Sequence, residues 1–237
     1  MDRITEAIRD ELRSFPDEEK TPGFQRFFKE EVKCYGLKAA PVTKLGRRYW
    51  AEIKDLEKDE IFSLCEELFS SGYTEEAFIA ANWAEKLSGR FDEEDIDTFR
   101  KWIDLYIDNW AKCDTVCNHA VGDYMMKFPG RISDLKNWAK SENRWLRRAA
   151  AVSLIVPAKK GKFLDDIFEI SDILLEDEDD MVQKGYGWLL KDASITRMED
   201  IFEYVMKNKK RMPRTALRYA IERMPGEMRT EAMKKDW

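Results

Sequence analysis

ITEAIRDELRSF, residues 4–15, decides the fold class, because Ile4, Ile8, Leu12 and Phe15 recur at the spacing of one helical face. Farther along, DEIFSLCEELF at 59–69 repeats the pattern with Ile61, Leu64, Cys65 and Leu68. Strand-like alternation is absent over any useful length, so the chain reads as helix nearly throughout. Start and stop signals cut it into segments mostly of roughly 10–16 residues. Pro41 opens a helix before VTKLGRRYWAEI, Gly72 closes one, and Asp92 begins DEEDIDTFRKWIDLYI with acids in the first turn. Later breaks fall at Pro129-Gly130, at Pro157 with Gly161, and at Met212-Pro213.

Short helices on short connections imply antiparallel neighbours. Several pairs approach the roughly 40-residue span of a two-helix solenoid unit, in which each pair buries its apolar face on the next. The predicted fold is all-α, a helical-repeat solenoid of antiparallel helix pairs with a concave basic groove, over residues 1–237 as a single domain. A compact helical bundle is the alternative. No long Gly/Ser/Pro linker is present, which argues against two separately hinged domains.

With 37% charged and 43% hydrophobic residues among 237, the chain is folded and soluble rather than disordered. No apolar run approaches the roughly 18 residues needed to cross a bilayer, and MDRITEAIRDELRSF has no signal-peptide core, so a cytoplasmic location is expected. Cys34, Cys65, Cys113 and Cys117 lack paired CxxC spacing and read as buried free thiols. Two thiols with His119 nearby make a poor zinc site, and no nucleophile signature accompanies that histidine. No metal and no cofactor is expected, nor an obligate protein partner; the chain is read as a monomer.

A net charge of -6 argues superficially against nucleic acid. The average hides a strong alternation: FLDDIFEISDILLEDEDD at 163–180 has no basic residue, whereas KNKKRMPRTALR at 207–218 has no acidic one. An acidic outer surface with a basic inner one would produce this in a curved stack, and so would ordinary solvated helix faces.

Three stretches carry candidate chemistry: NWAKCDTVCNHAVGDYMMKFP at 109–129, NRWLRRAAAVSL at 143–154 and MVQKGYGWLLKD at 181–192. Together they resemble the AlkD-type DNA alkylation repair family, built from HEAT-like helical repeats. That family carries a tryptophan four residues before an aspartate, then a Gly-Asp pair, matched here by Trp110, Asp114, Gly122 and Asp123. Its Trp-Leu-x-Arg-Ala-Ala run is matched by Trp145, Leu146, Arg148, Ala149 and Ala150, and its Gln-Lys-x-x-Gly-Trp run by Gln183, Lys184, Gly187 and Trp188. FFKEEVKCYGLKAAP at 27–41 is similar to the family's entry segment, with one extra residue before Pro41. The likeness extends over most of the chain.

The resemblance implies a DNA glycosylase for cationic N3- and N7-alkylated purines in double-stranded DNA, with Asp114, Trp110, Trp188 and Arg148 at the site. Physical chemistry is compatible with this. An alkyl group on purine N3 or N7 leaves the base cationic, so it departs without protonation and a general acid is dispensable. Positive charge then develops on the deoxyribose, where a fixed carboxylate, Asp114, stabilises it and can orient a water. Trp110 lies one helical turn from Asp114, and indole faces attract cations. Arg148 can take a backbone phosphate with two parallel hydrogen bonds. The family further implies a lesion that stays stacked rather than extruded. Lys38, Lys44, Arg47, Arg48, Arg147, Lys184, Lys191, Arg211, Arg214 and Arg218 are candidate groove cations.

The plainer readings are a core role for the tryptophans, a helix cap for Asp114 and solvated surface for the cations. Trp50, Trp83, Trp102, Trp138 and Trp145 are read as core or interface. The rival function is a non-catalytic helical-repeat protein that binds DNA or another protein. A hydrolase of unrelated design finds no serine elbow, phosphate loop or metal motif.

Overall fold

The computed structural model describes residues 2–235, and among these there is no strand; a lone antiparallel bridge joins Lys20 to Leu37. The chain is all-α, as the periodicity predicts. It divides into two compact units, residues 1–120 and 121–237.

The first unit holds α1 (Asp2–Ser14), α2 (Ala39–Ile53), α3 (Lys58–Ser70), α4 (Thr74–Lys86), α5 (Asp95–Tyr106) and α6 (Trp110–Val116). Ile8 and Leu12 of α1 are buried as their spacing requires, and so are Ile61, Leu64, Cys65 and Leu68 of α3. A capping box of Glu57 and Glu60 starts α3, satisfying backbone N–H groups that a helix leaves orphaned. Gly72, at φ 78°, then turns the chain into α4. Helix α4 packs against α2, α3 and α6 and is the hub of this unit. Its Trp83, fully buried, donates Nε1–H to the Gly46 carbonyl at 2.9 Å.

The first turn of α4 buries two acids. Glu75 accepts the backbone N–H groups of Tyr35 and Leu37, each at 3.0 Å, while Glu76 accepts the Tyr35 hydroxyl at 2.7 Å and Arg9 Nε at 3.1 Å. Buried carboxylates are tolerable only when so partnered. They fasten the irregular segment 24–38 to the unit, and that segment carries part of the candidate site.

The second unit holds α7 (Gly122–Lys127), α8 (Ile132–Trp138), α9 (Arg144–Val152), α10 (Ile155–Lys159), α11 (Leu164–Ile173), α12 (Asp180–Ala193), α13 (Met198–Asn208), α14 (Arg214–Ala220) and α15 (Gly226–Met233). Several of these helices are shorter than the spacing suggested. The hub is α12, which packs against α9, α10 and α14. Asp179 caps it by accepting the N–H groups of Met181 at 2.8 Å and Val182 at 3.3 Å. Two glycines admit its neighbours: Gly185 faces Arg148 and Val152, and Gly187 faces Ala216 and Tyr219.

Three boundaries depart from the sequence reading. Pro41 is the third residue of α2 rather than its opener, and Pro157 lies inside α10 instead of breaking it. Both sit in a first turn, where the missing N–H has no helical partner to lose. Helix α5 starts at Asp95 because Asp92 folds back, its N–H donating to Asp95 Oδ2 at 2.9 Å.

Candidate functional site

In the first unit, the site is set by the cap of α6. Asn109, fully buried, accepts the N–H groups of Ala111 and Lys112 at 3.1 Å each, which places Trp110 at the first helical position and Asp114 one turn later. Asp114 is therefore an interior residue of α6 and not its cap. Its side chain is half-buried. Lys112, on the inner face, is 1% exposed and donates Nζ–H to the Gly72 carbonyl at 2.7 Å and to Asp108 at 3.0 Å, locking α6 to the turn between α3 and α4.

Trp110 is half-buried and held from two directions. Its Nε1–H donates to the Phe27 carbonyl at 3.3 Å, and its ring stacks on Phe28 with centroids 5.4 Å apart and planes 24° apart. Phe24, Phe28, Val32, Cys34, Phe78 and Ala111 complete this small apolar cluster. One face of the indole thus belongs to the structure, a role that the spacing alone did not reveal. The helix then widens into a π segment at Cys117–Val121, a rare geometry frequent at functional sites, directly before the Gly122-Asp123 pair. His119 is exposed beside Glu85, its Nδ1 3.2 Å from the carboxylate, and among the described residues no cluster suits a metal ion. Cys65, Cys113 and Cys117 are buried and Cys34 is half-buried, all four as free thiols.

In the second unit, Arg148 is only 4% exposed. It lies in the α9–α12 contact, donating Nη1–H to the Met181 carbonyl and running its stem past Gly185, where a Cβ would meet its Cγ at 3.3 Å. Trp188 is half-buried on α12, and its Nε1–H donates to Asp192 Oδ2 at 2.9 Å. That partner was missed although its spacing of four was legible. The structure unites Trp110 with Asp114 on one helix and places Arg148 against the helix that carries Trp188. Of the tryptophans read as core, Trp83, Trp102, Trp138 and Trp145 are buried and Trp50 is half-buried.

The candidate cations divide by what holds them. Lys38, Lys44, Arg47, Arg48, Arg211 and Arg218 are exposed, while Arg147, Lys184, Lys191 and Arg214 are half-buried. Acids engage many: Arg48 pairs with Glu11, Arg147 Nε with Asp177 at 2.6 Å, Lys184 with Asp180 at 2.8 Å, Lys191 with Glu222 at 3.2 Å and Arg211 with Glu176 at 3.0 Å. Arg147 also donates to the carbonyls of Ser141 and Glu142, at the rim of a cleft rich in acids: Glu142, Asp177, Glu178 and Asp179. Much of the acidic stretch 163–180 is thus the counterpart of arginines and lysines in the same unit, Lys136 on Asp166 and Glu169 and Arg144 on Asp179 among them, so part of the charge alternation is internal pairing.

Helices make up nearly all the described secondary structure, with an indole and a half-buried carboxylate one turn apart on α6 and a second indole on α12, and this is the make-up of a helical-repeat protein. The family model described as DNA alkylation repair enzyme matches residues 8–224, and the chain belongs to that family. Membership carries a role in DNA alkylation repair, with DNA as the substrate. A solved structure of a predicted DNA alkylation repair enzyme from Enterococcus faecalis shares the fold with a TM-score of 0.78, at 18% identity over 88% of this chain and 98% of that one. No curated protein matches.

Proposed function

We propose that the protein is a DNA glycosylase that excises cationic N3- and N7-alkylated purines, 3-methyladenine and 7-methylguanine among them, from duplex DNA. The observation that carries this reading is the Trp110–Asp114 pair, a half-buried indole and a half-buried carboxylate one turn apart on a capped and locked helix. Such a carboxylate is preorganised: it meets the positive charge that develops on the deoxyribose as the base leaves, with little reorganisation at the moment of reaction. The same oxygens can orient the water that completes hydrolysis. Trp110 and Trp188 contribute apolar faces with an affinity for cationic nucleotides of roughly 0.5–2 kcal/mol, so most selectivity comes from the weakened glycosidic bond of the lesion. Exposed Lys38, Lys44, Arg47 and Arg218 are assigned to the DNA backbone, where they steer and hold without reading sequence.

Purified protein, without added metal, is expected to release 7-methylguanine and 3-methyladenine from methylated duplex DNA. Asp114→Asn should lower release by about 10²–10³-fold, the loss seen when one preorganised electrostatic group is removed, with an unchanged circular dichroism spectrum. Undiminished release by that variant would remove Asp114 from the mechanism.

A second reading, non-catalytic DNA binding, is favoured by the burial of Arg148 and the packing of Trp110 on Phe28, both of which serve the fold itself. It predicts duplex binding with no base release by the unaltered protein.

A further inference from the structure

We propose that Lys159 and Arg223, gathered on the buried Asp192 carboxylate beside the Trp188 indole, form a phosphodiester-binding site; the proposal rests on the reading that duplex DNA is the ligand. Asp192 is 1% exposed. Its Oδ2 accepts both Trp188 Nε1–H at 2.9 Å and Lys159 Nζ at 3.0 Å, and its Oδ1 accepts Arg223 Nε–H at 3.1 Å. A carboxylate removed from water requires such partners, so the three donors are held where they are by its burial.

The two cations, however, are not buried with it. The Lys159 and Arg223 side chains are 42% and 50% exposed, so each is fastened at one end to the buried acid and open to solvent along much of its length. One acid serving two cations leaves a surplus of positive charge. The adjacent pair, Lys191 with Glu222 at 3.2 Å, is neutral by itself and does not cancel it.

Donor geometry points the same way. A lysine ammonium has three N–H donors, and Asp192 uses one; arginine binds the carboxylate through Nε, which leaves its two terminal nitrogens for a bidentate grip on phosphate oxygens. Helix α10 supplies Lys159, α12 supplies Asp192 and Trp188, and the turn after α14 supplies Arg223. Because the indole nitrogen and Lys159 share one oxygen, a phosphodiester held here lies at the edge of Trp188. The deoxyribose next to it is then within reach of that ring.

The test is equilibrium binding of a fluorescein-labelled, undamaged duplex across a potassium chloride series. Lys159→Gln and Arg223→Gln should each reduce the slope of log Kobs against log salt by about 0.9, the release of one phosphate's counterions. Asp192→Asn should weaken binding even though it makes the protein more positive, because the cations lose the group that positions them. Unchanged slopes in both glutamine variants, tighter binding by Asp192→Asn, or no duplex binding by the unaltered protein would each overturn the site. The base-release assay on the same preparations separates the two proposals. Release with unchanged slopes sinks the site alone, and shifted slopes without release sink the glycosylase alone.

Discussion

Gly187 and Tyr219 are in direct backbone-level contact: a Cβ on residue 187 would stand 2.7 Å from the Tyr219 Cβ and 2.8 Å from the Ala216 carbonyl oxygen. Helices α12 and α14 can approach this closely only because residue 187 has no side chain. The obstacle is backbone and Cβ, neither of which can swing aside.

Gly187→Ala is therefore expected to destabilise the protein by about 1–3 kcal/mol, the usual penalty of overpacking, even though alanine is the better helix former. Urea denaturation measures it. A midpoint equal to that of the unaltered chain would mean that the two helices separate freely, and Trp188, the next residue, would lose its fixed backdrop.

Phe28→Ala should free the Trp110 ring by removing the stack 5.4 Å away. Phe28 belongs to a small, partly exposed cluster, so the stability loss is expected near 2 kcal/mol, below the roughly 3–5 typical of phenylalanine in a full core. Tryptophan emission should shift to the red and base release should fall. Phe27→Ala is the contrast, because that residue is 52% exposed and its backbone carbonyl, which the substitution keeps, is what accepts the indole N–H. Equal losses in the two variants would count against the stack as the element that orients Trp110.

Glu11 gives stability a dependence on pH. The Tyr49 hydroxyl, donating at 2.6 Å, and then the Arg48 guanidinium hold its carboxyl below the usual range. A depressed carboxyl contributes stability above its unfolded value, near pH 4.3, and loses it as pH falls through the folded one. Glu11→Gln should accordingly be less stable than the unaltered protein at pH 7, with the gap closing below about pH 4. Urea midpoints at several pH values report this, and a gap that stays constant from pH 7 to pH 3 would refute it.

Much of the fold was legible because helical periodicity is a local property. Ile8, Leu12, Leu64 and Leu68 are buried where their spacing puts them. Helix ends were harder. Prolines at 41 and 157 read as boundaries, yet a first turn accepts proline without losing a hydrogen bond. At the candidate site, Trp110 and Asp114 fall one turn apart, as four residues on a helix must. Invisible from the chain were the partners brought in by tertiary contact: Phe28 comes from 82 positions earlier than Trp110, and Asp177 meets Arg147 across 30 residues. Residue type marks an arginine as a phosphate ligand as readily as a structural brace. Only the partners and the exposure that tertiary contact gives it separate the two.

The thiols complete the account of how such a chain meets its chemical surroundings. Methylating electrophiles that attack ring nitrogens in DNA also seek sulfur, and they react with thiolate far faster than with thiol. Burial pushes the Cys65 thiol well above its ordinary range, and partial burial raises Cys34 as well, while Cys113 and Cys117 are shut away from solvent. The native chain thus shields most of its sulfur from the reagents whose lesions it is proposed to remove, and it loses that chemical immunity when it unfolds.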